Sequence, residues 1–145
     1  MPLYFAYGSN MDVSAMARRC PASRPLGIAR LARHRFGILE AGYATVLRDP
    51  AATVHGVLYE LALADVAALD RYEDIARGLY RKLVQPVLRK EGSPVQALVY
   101  IGAGPSGGEP RPGYMEGVIA AAQAAGLPAT YLAFLGHFAA GNRTR

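Results

Sequence analysis

Cysteine is almost absent from this chain. Cys20 is the only one in 145 residues, which excludes an intramolecular disulfide and a cysteine-based metal cluster and points to a reducing compartment. Acidic residues are also scarce, 11 against 16 Lys and Arg, for a net charge of +5. Such an excess raises the possibility of polyanion binding, since clustered cations supply most non-specific affinity for phosphate backbones. The arginines are scattered, however, and only the stretch Arg30 to Arg35 forms a local cluster, so no nucleic acid is expected as a partner. Asp, Glu, Lys and Arg are missing altogether from Gly117 to Asn142, a stretch longer than the ~20 residues that cross a bilayer. Gly126-Leu127-Pro128 breaks it as a helix stop and restart, and Val118 and Ile119 are the only bulky apolar residues of its first half. Two short helices packed on a core are expected, not a membrane span. The three histidines, His34, His55 and His137, have no metal-ligand spacing, and no metal is expected. His55 reads as a core residue, His34 and His137 as surface ones. Met1-Pro2-Leu3-Tyr4 lacks the basic, then apolar texture of a secretory signal, which gives a cytoplasmic expectation. No residue pattern specifies an oligomeric state.

A hydrophobic content of 52% over 145 residues fits one domain with a substantial core. Leu3, Phe5 and Tyr7 alternate with Tyr4 and Ala6, the periodicity of a strand, and Asp12 reads as the N-cap of a helix over Val13 to Arg19. Pro25 to Glu40 reads as one long or bent strand, with a bulge or turn at Arg33-His34-Arg35. Tyr43 to Leu47 is expected as a short strand, Asp49-Pro50 as a turn and Val54 to Leu61 as a buried strand. Helical period follows over Ala64 to Glu73, then strands over Leu79 to Arg89 and Val95 to Ile101, and helices near Pro112 to Ala125 and Pro128 to Ala139. Strands with interspersed helices and few regular βαβ repeats indicate an α+β fold. Gly102 to Gly113 has the composition of a long mobile loop. Its Gly102-Ala103-Gly104-Pro105 start precedes no immediate helix, so it is not read as a nucleotide site.

Two features carry chemistry. Strand, glycine turn and helix start converge at Gly8-Ser9-Asn10, where free backbone N–H groups attract a carboxylate or phosphate; the same residues also serve as a plain turn. The second is Glu73. Val66 and Leu69 mark the buried stripe of their helix, and the next step of that stripe lands on Glu73. Burial and the partial negative charge of a helix C-terminus would both raise its pKa toward the range useful for proton transfer. Its other fate is to turn to water and pair with Arg77 or Arg71. Asp70 falls a turn earlier, on the more exposed flank.

Tyr4-Phe5-Ala6-Tyr7-Gly8-Ser9-Asn10 resembles the opening signature of the gamma-glutamylcyclotransferase family. His55-Gly56-Val57-Leu58-Tyr59-Glu60-Leu61 resembles the family's central strand, and Leu69-Asp70-Arg71-Tyr72-Glu73 the helix end that carries its catalytic carboxylate. Gly78-Leu79-Tyr80 and Pro112-Gly113-Tyr114 match two further tyrosine positions in the same order. Asp74 departs from the pattern, standing where many relatives carry glycine. The resemblance implies a small, twisted, mixed barrel-like sheet with helices around it. It also implies a small gamma-glutamyl amide as substrate, cleaved without water or cofactor by attack of its own α-amino group on the γ-carbonyl. The products are 5-oxoproline and a free amine or amino acid. By the same carry-over Glu73 is the general acid/base, and Tyr4, Phe5, Ala6, Tyr7, Gly8, Ser9, Asn10, Tyr80 and Tyr114 bind substrate. The leaving group is open between an amino acid, a lysine side-chain amine and a biosynthetic amine. A non-catalytic relative that binds a small carboxylate is the competing expectation.

Overall fold

A computed structural model describes residues 2–143. Five strands close into a mixed barrel: β1 (Leu3–Ala6), β2 (Arg24–Ile38), β3 (Ala44–Glu60), β4 (Tyr80–Arg89) and β5 (Pro94–Gly102), in the order β1-β3-β2-β4-β5. All neighbours are antiparallel except β1 and β5, whose parallel pairing of Tyr4 with Leu98 closes the circle. Closure removes exposed sheet edges and turns alternate side chains into one shared interior. Four α-helices surround it: α1 (Val13–Arg19), α2 (Val66–Tyr72), α3 (Tyr114–Ala125) and α4 (Ala129–Arg143). Among the described residues no helix is long and apolar enough to cross a membrane. The uncharged stretch is split as its sequence implies, with Gly126 at φ +82° between α3 and α4.

The start of the chain follows local signals. Asp12 caps α1 by accepting a hydrogen bond from the Ala15 N–H at 3.2 Å. Between β1 and α1, Ser9–Met11 makes a single 3-10 turn, closed by Met11 N–H on the Gly8 carbonyl at 3.0 Å. Gly56 is needed by close approach: a Cβ there would lie 2.2 Å from the Ala6 carbonyl oxygen and 2.9 Å from Phe5 Cζ.

Three expectations are corrected. Asp49-Pro50 is not a turn; β3 runs through it in extended form. The β2–β3 register jumps between Ala32 and His34, where Arg33 takes φ +60°, so the unpaired residues around Pro50 lie opposite a bulge and no ladder hydrogen bond is lost to proline. The bulge also turns His34 inward, to 7% exposure, with Nδ1–H donating to the Ala32 carbonyl at 2.9 Å; it is not a surface residue. The loop after β5, expected to be mobile, is docked on the β2–β3 connection. Glu40 N–H donates to the Pro105 carbonyl, Gly107 N–H to Ile38 and Arg111 N–H to Gly42. At Gly108 a Cβ would stand 2.3 Å from the Leu39 carbonyl oxygen, so glycine permits the docking.

Candidate functional site

The open end of the barrel gathers residues from distant parts of the chain. β1 delivers Tyr4 and leads into Tyr7 and Gly8; the 3-10 turn adds Ser9 and Asn10. These line a narrow recess of ≈ 30 Å³ together with Glu73 from the end of α2, Ala44 from β3, Tyr80 from β4, Tyr100 from β5 and Tyr114 from the start of α3. The recess adjoins an outer cleft of ≈ 680 Å³, and Ser9, Glu73, Tyr80 and Tyr114 line both. Tyr43, Tyr72, Arg77 and Arg111 belong to the outer part alone.

Glu73 is the C-cap of α2, with its N–H on the Leu69 carbonyl at 3.0 Å. The residue is only partly buried as a whole, but it lines the recess, and burial pushes its carboxyl up to about 7; the Arg19 guanidinium pulls the other way. Arg77 does not compensate it. That side chain is taken by Asp74, with Nη2 and Oδ2 2.6 Å apart, so the pairing that would have drawn Glu73 to the surface is absent. Asp74 itself sits at φ +58°, the left-handed region that glycine adopts at least cost.

The turn is braced from below. Asn10, 3% exposed, donates through Nδ2 to Tyr4 Oη at 3.1 Å, accepts from Arg19 Nη1, and offers its carbonyl to the Tyr59 hydroxyl at 2.8 Å. Arg19 lies 3.8 Å from the centre of the Tyr72 ring, and the Tyr72 hydroxyl sits 2.7 Å from Ser9 Oγ. A strut of Arg19, Tyr72 and Ser9 thus ties the end of α2 to the glycine turn. Gly8 has a negative φ of −119°, so its lack of a side chain matters for space: a Cβ would meet Tyr114 Oη at 3.2 Å.

Of the residues expected from sequence, Tyr4, Tyr7, Gly8, Ser9, Asn10, Glu73, Tyr80 and Tyr114 come together around the recess. Phe5 and Ala6 do not line it; both are buried, with Phe5 packed over Gly56. Neighbours in a strand point to opposite faces, which turns Phe5 away from the face of Tyr4; Ala6 is in phase with Tyr4, and alternation does not account for its absence from the lining. Sequence reasoning missed Ala44 and Tyr100 in the recess and Tyr43, Tyr72 and Arg111 in the cleft. Tyr100 had a usable signal, an aromatic on an apolar strand; Ala44 and Arg111 had none.

The family model of the AIG2-like family matches residues 53–135. The gamma-glutamylcyclotransferases of Mus musculus and Homo sapiens are each 28% identical over 139 residues, which cover 89% of this chain and 74% of theirs. A solved gamma-glutamyl cyclotransferase structure superposes with a TM-score of 0.86 at 25% identity, over 93% of this chain and 86% of that one. YkqA from Bacillus subtilis superposes with a TM-score of 0.80 over 94% of this chain and 53% of its own; at 23% identity it shares the fold alone.

Proposed function

The chain belongs to the AIG2-like family, and from that premise we propose that it is a cyclotransferase acting on a small gamma-glutamyl amide, with Glu73 as general acid/base. The observation that carries this reading is the Glu73 carboxyl, raised to about 7 by burial beside the Gly8-Ser9-Asn10 turn. The curated relatives named gamma-glutamylcyclotransferase support the substrate class.

The nucleophile is within the substrate. The protein must hold a ring-closing pose, take a proton from the α-ammonium and return one to the leaving nitrogen. In this reading the glutamyl head enters the recess, its α-carboxylate against the N–H groups that open the Ser9–Met11 turn, which have no intrahelical acceptor. Glu73, at the boundary of recess and cleft, accepts the ammonium proton. The amine attacks the γ-carbonyl carbon, the new C–N bond closes the five-membered ring, and the tetrahedral intermediate collapses as the old C–N bond breaks. Glu73-H gives its proton to the departing nitrogen, the ring nitrogen loses its remaining extra hydrogen to the Glu73 carboxylate so freed, and that proton leaves with the released amine as its ammonium, so no water is consumed. The leaving amine lies in the outer cleft near Tyr43 and Arg111, whose guanidinium is 4.9 Å from the Tyr43 ring centre.

The test is 5-oxoproline release from a panel of gamma-glutamyl amino acids and gamma-glutamyl amines, with wild type beside Glu73→Gln. Turnover that is lost in the variant supports the reading and ranks leaving groups. Folded wild type with no turnover on any panel member, yet with measurable ligand binding, would replace it with the carboxylate-binding alternative.

A further inference from the structure

A tyrosine hydroxyl has one proton to donate and can accept as well, so the partners of the tyrosines around the recess decide what each can offer a ligand. Tyr7 gives its proton to the Tyr100 carbonyl and Tyr80 to the Ala44 carbonyl. Tyr114 Oη instead accepts, from the Ala44 N–H at 3.2 Å, as Tyr4 Oη does from Asn10; both keep a proton to give. Tyr100 shares the donor role of Tyr7 and Tyr80 but gives its proton to a carboxylate where they give theirs to carbonyls. Its hydroxyl donates to Asp70 Oδ1 at 2.6 Å, so what it has left to offer a ligand is oxygen lone pairs.

Asp70 does not line the recess and is joined to one of its lining residues, Tyr100, by this bond. Both of its oxygens are held by Lys82 Nζ, at 3.0 and 2.9 Å. It stands three residues before Glu73, so α2 and its cap carry both carboxylates on neighbouring positions of one face. Burial first, then the hydrogen bond to Asp70 and its charge, hold the Tyr100 hydroxyl well above the ordinary phenol range, so it keeps its proton at neutral pH.

We propose that Asp70, clamped by Lys82, is a positioning residue that accepts the hydrogen bond of the Tyr100 hydroxyl and thereby makes Tyr100 a dedicated hydrogen-bond acceptor for the α-ammonium of the substrate. The inference rests on the gamma-glutamyl reading and deepens it by naming the group that selects for a free α-amino group. A ligand without that ammonium leaves the Tyr100 lone pairs unmet, and a ligand that keeps it gains a charge-assisted bond.

The experiment measures binding in the Glu73→Gln background, where turnover is suppressed, by calorimetry with two probes: a gamma-glutamyl alkylamide and its glutaryl counterpart, identical but for the α-amino group. Tyr100→Phe and Asp70→Asn are each added to that background, with urea midpoints recorded to confirm folding. The expected result is a loss of gamma-glutamyl affinity of about tenfold or more in both variants, with glutaryl affinity changed less than twofold. Asp70→Glu, which restores a carboxylate acceptor, recovers part of the loss. Equal losses for both probes would mean that the pair only supports the fold, and no loss would mean that Tyr100 does not meet the ammonium; either overturns the proposal. If the gamma-glutamyl probe fails to bind the parent protein and wild type releases no 5-oxoproline, the functional reading falls as well. Normal turnover with unaltered discrimination would sink this inference alone.

Discussion

The Tyr114 hydroxyl stands 3.2 Å from the point where a Cβ on Gly8 would lie. The start of α3 therefore closes the recess directly over the glycine turn, and the two elements can approach this far only because residue 8 has no side chain. Gly8→Ala is expected to displace Tyr114 by a few tenths of an ångström and to break its bond with the Ala44 N–H. Ligand affinity should fall at least severalfold while the urea midpoint moves little. An unchanged affinity would show that Tyr114 yields without consequence.

Glu73 links activity and stability to pH in opposite directions. Its carboxyl titrates near 7 in the fold against an ordinary value of 4.5, so between these values the folded protein binds the extra proton. Stability is then fully present below pH 4.5 and declines as pH rises toward 7, by up to about 3 kcal/mol, less what its partial exposure returns to solvent. Denaturant titrations across this window should show the decline, and Glu73→Gln should flatten it. Activity should instead rise with pH through about 7, as the carboxylate form becomes available, and fall by a factor of about 10² to 10⁴ in the variant.

Asp74 is held in left-handed backbone, and its carboxylate pairs with the exposed Arg77. Asp74→Gly removes the conformational cost and loses only an exposed ion pair, so stability should change by less than about 1 kcal/mol. Asp74→Ala keeps a Cβ and loses the pair, and should destabilise by about 1–2 kcal/mol. Chemical denaturation of the two variants in parallel separates them; equal midpoints would contradict the argument.

Tyr72→Phe deletes the hydroxyl that meets Ser9 and leaves the ring under Arg19. The contact is exposed, so stability should change by about 1 kcal/mol or less. If the strut sets where Glu73 sits, kcat should drop more than KM changes. A purely packing role would leave both constants alone.

Gly56→Ala places a Cβ 2.2 Å from the Ala6 carbonyl oxygen, which forces β1 away from β3. A loss of several kcal/mol is expected, enough to appear as insoluble expression or a collapsed thermal transition.

Much of the barrel is legible in the chain because its signals are local. Alternation over Leu3 to Tyr7, the Asp12 cap, the Gly126 stop and the helical step from Val66 through Leu69 to Glu73 each depend on residues within a few positions. The signals that mislead are those whose meaning is set across the sheet. Asp49-Pro50 has turn composition, yet the bulge at Arg33 on the facing strand gives the proline an unpaired place in extended chain, and the same bulge sends His34 inward. Phe5 shares a motif with the recess residues, but the pleat turns it to the face opposite Tyr4.

By itself the sequence determines the strand–turn–helix opening, the excess of base over acid, and a carboxylate in the buried phase of a short helix. Only the tertiary structure decides what that carboxylate is worth. Its raised pKa comes from desolvation, and the groups that exclude water from it arrive from β1, β4, β5 and α3, which touch only once the barrel closes. The roles left to the tyrosine hydroxyls depend on distant partners in the same way. A phenol reads alike at positions 4, 80, 100 and 114, and it becomes donor or acceptor only when Asn10, Ala44 or Asp70 is brought within hydrogen-bond reach.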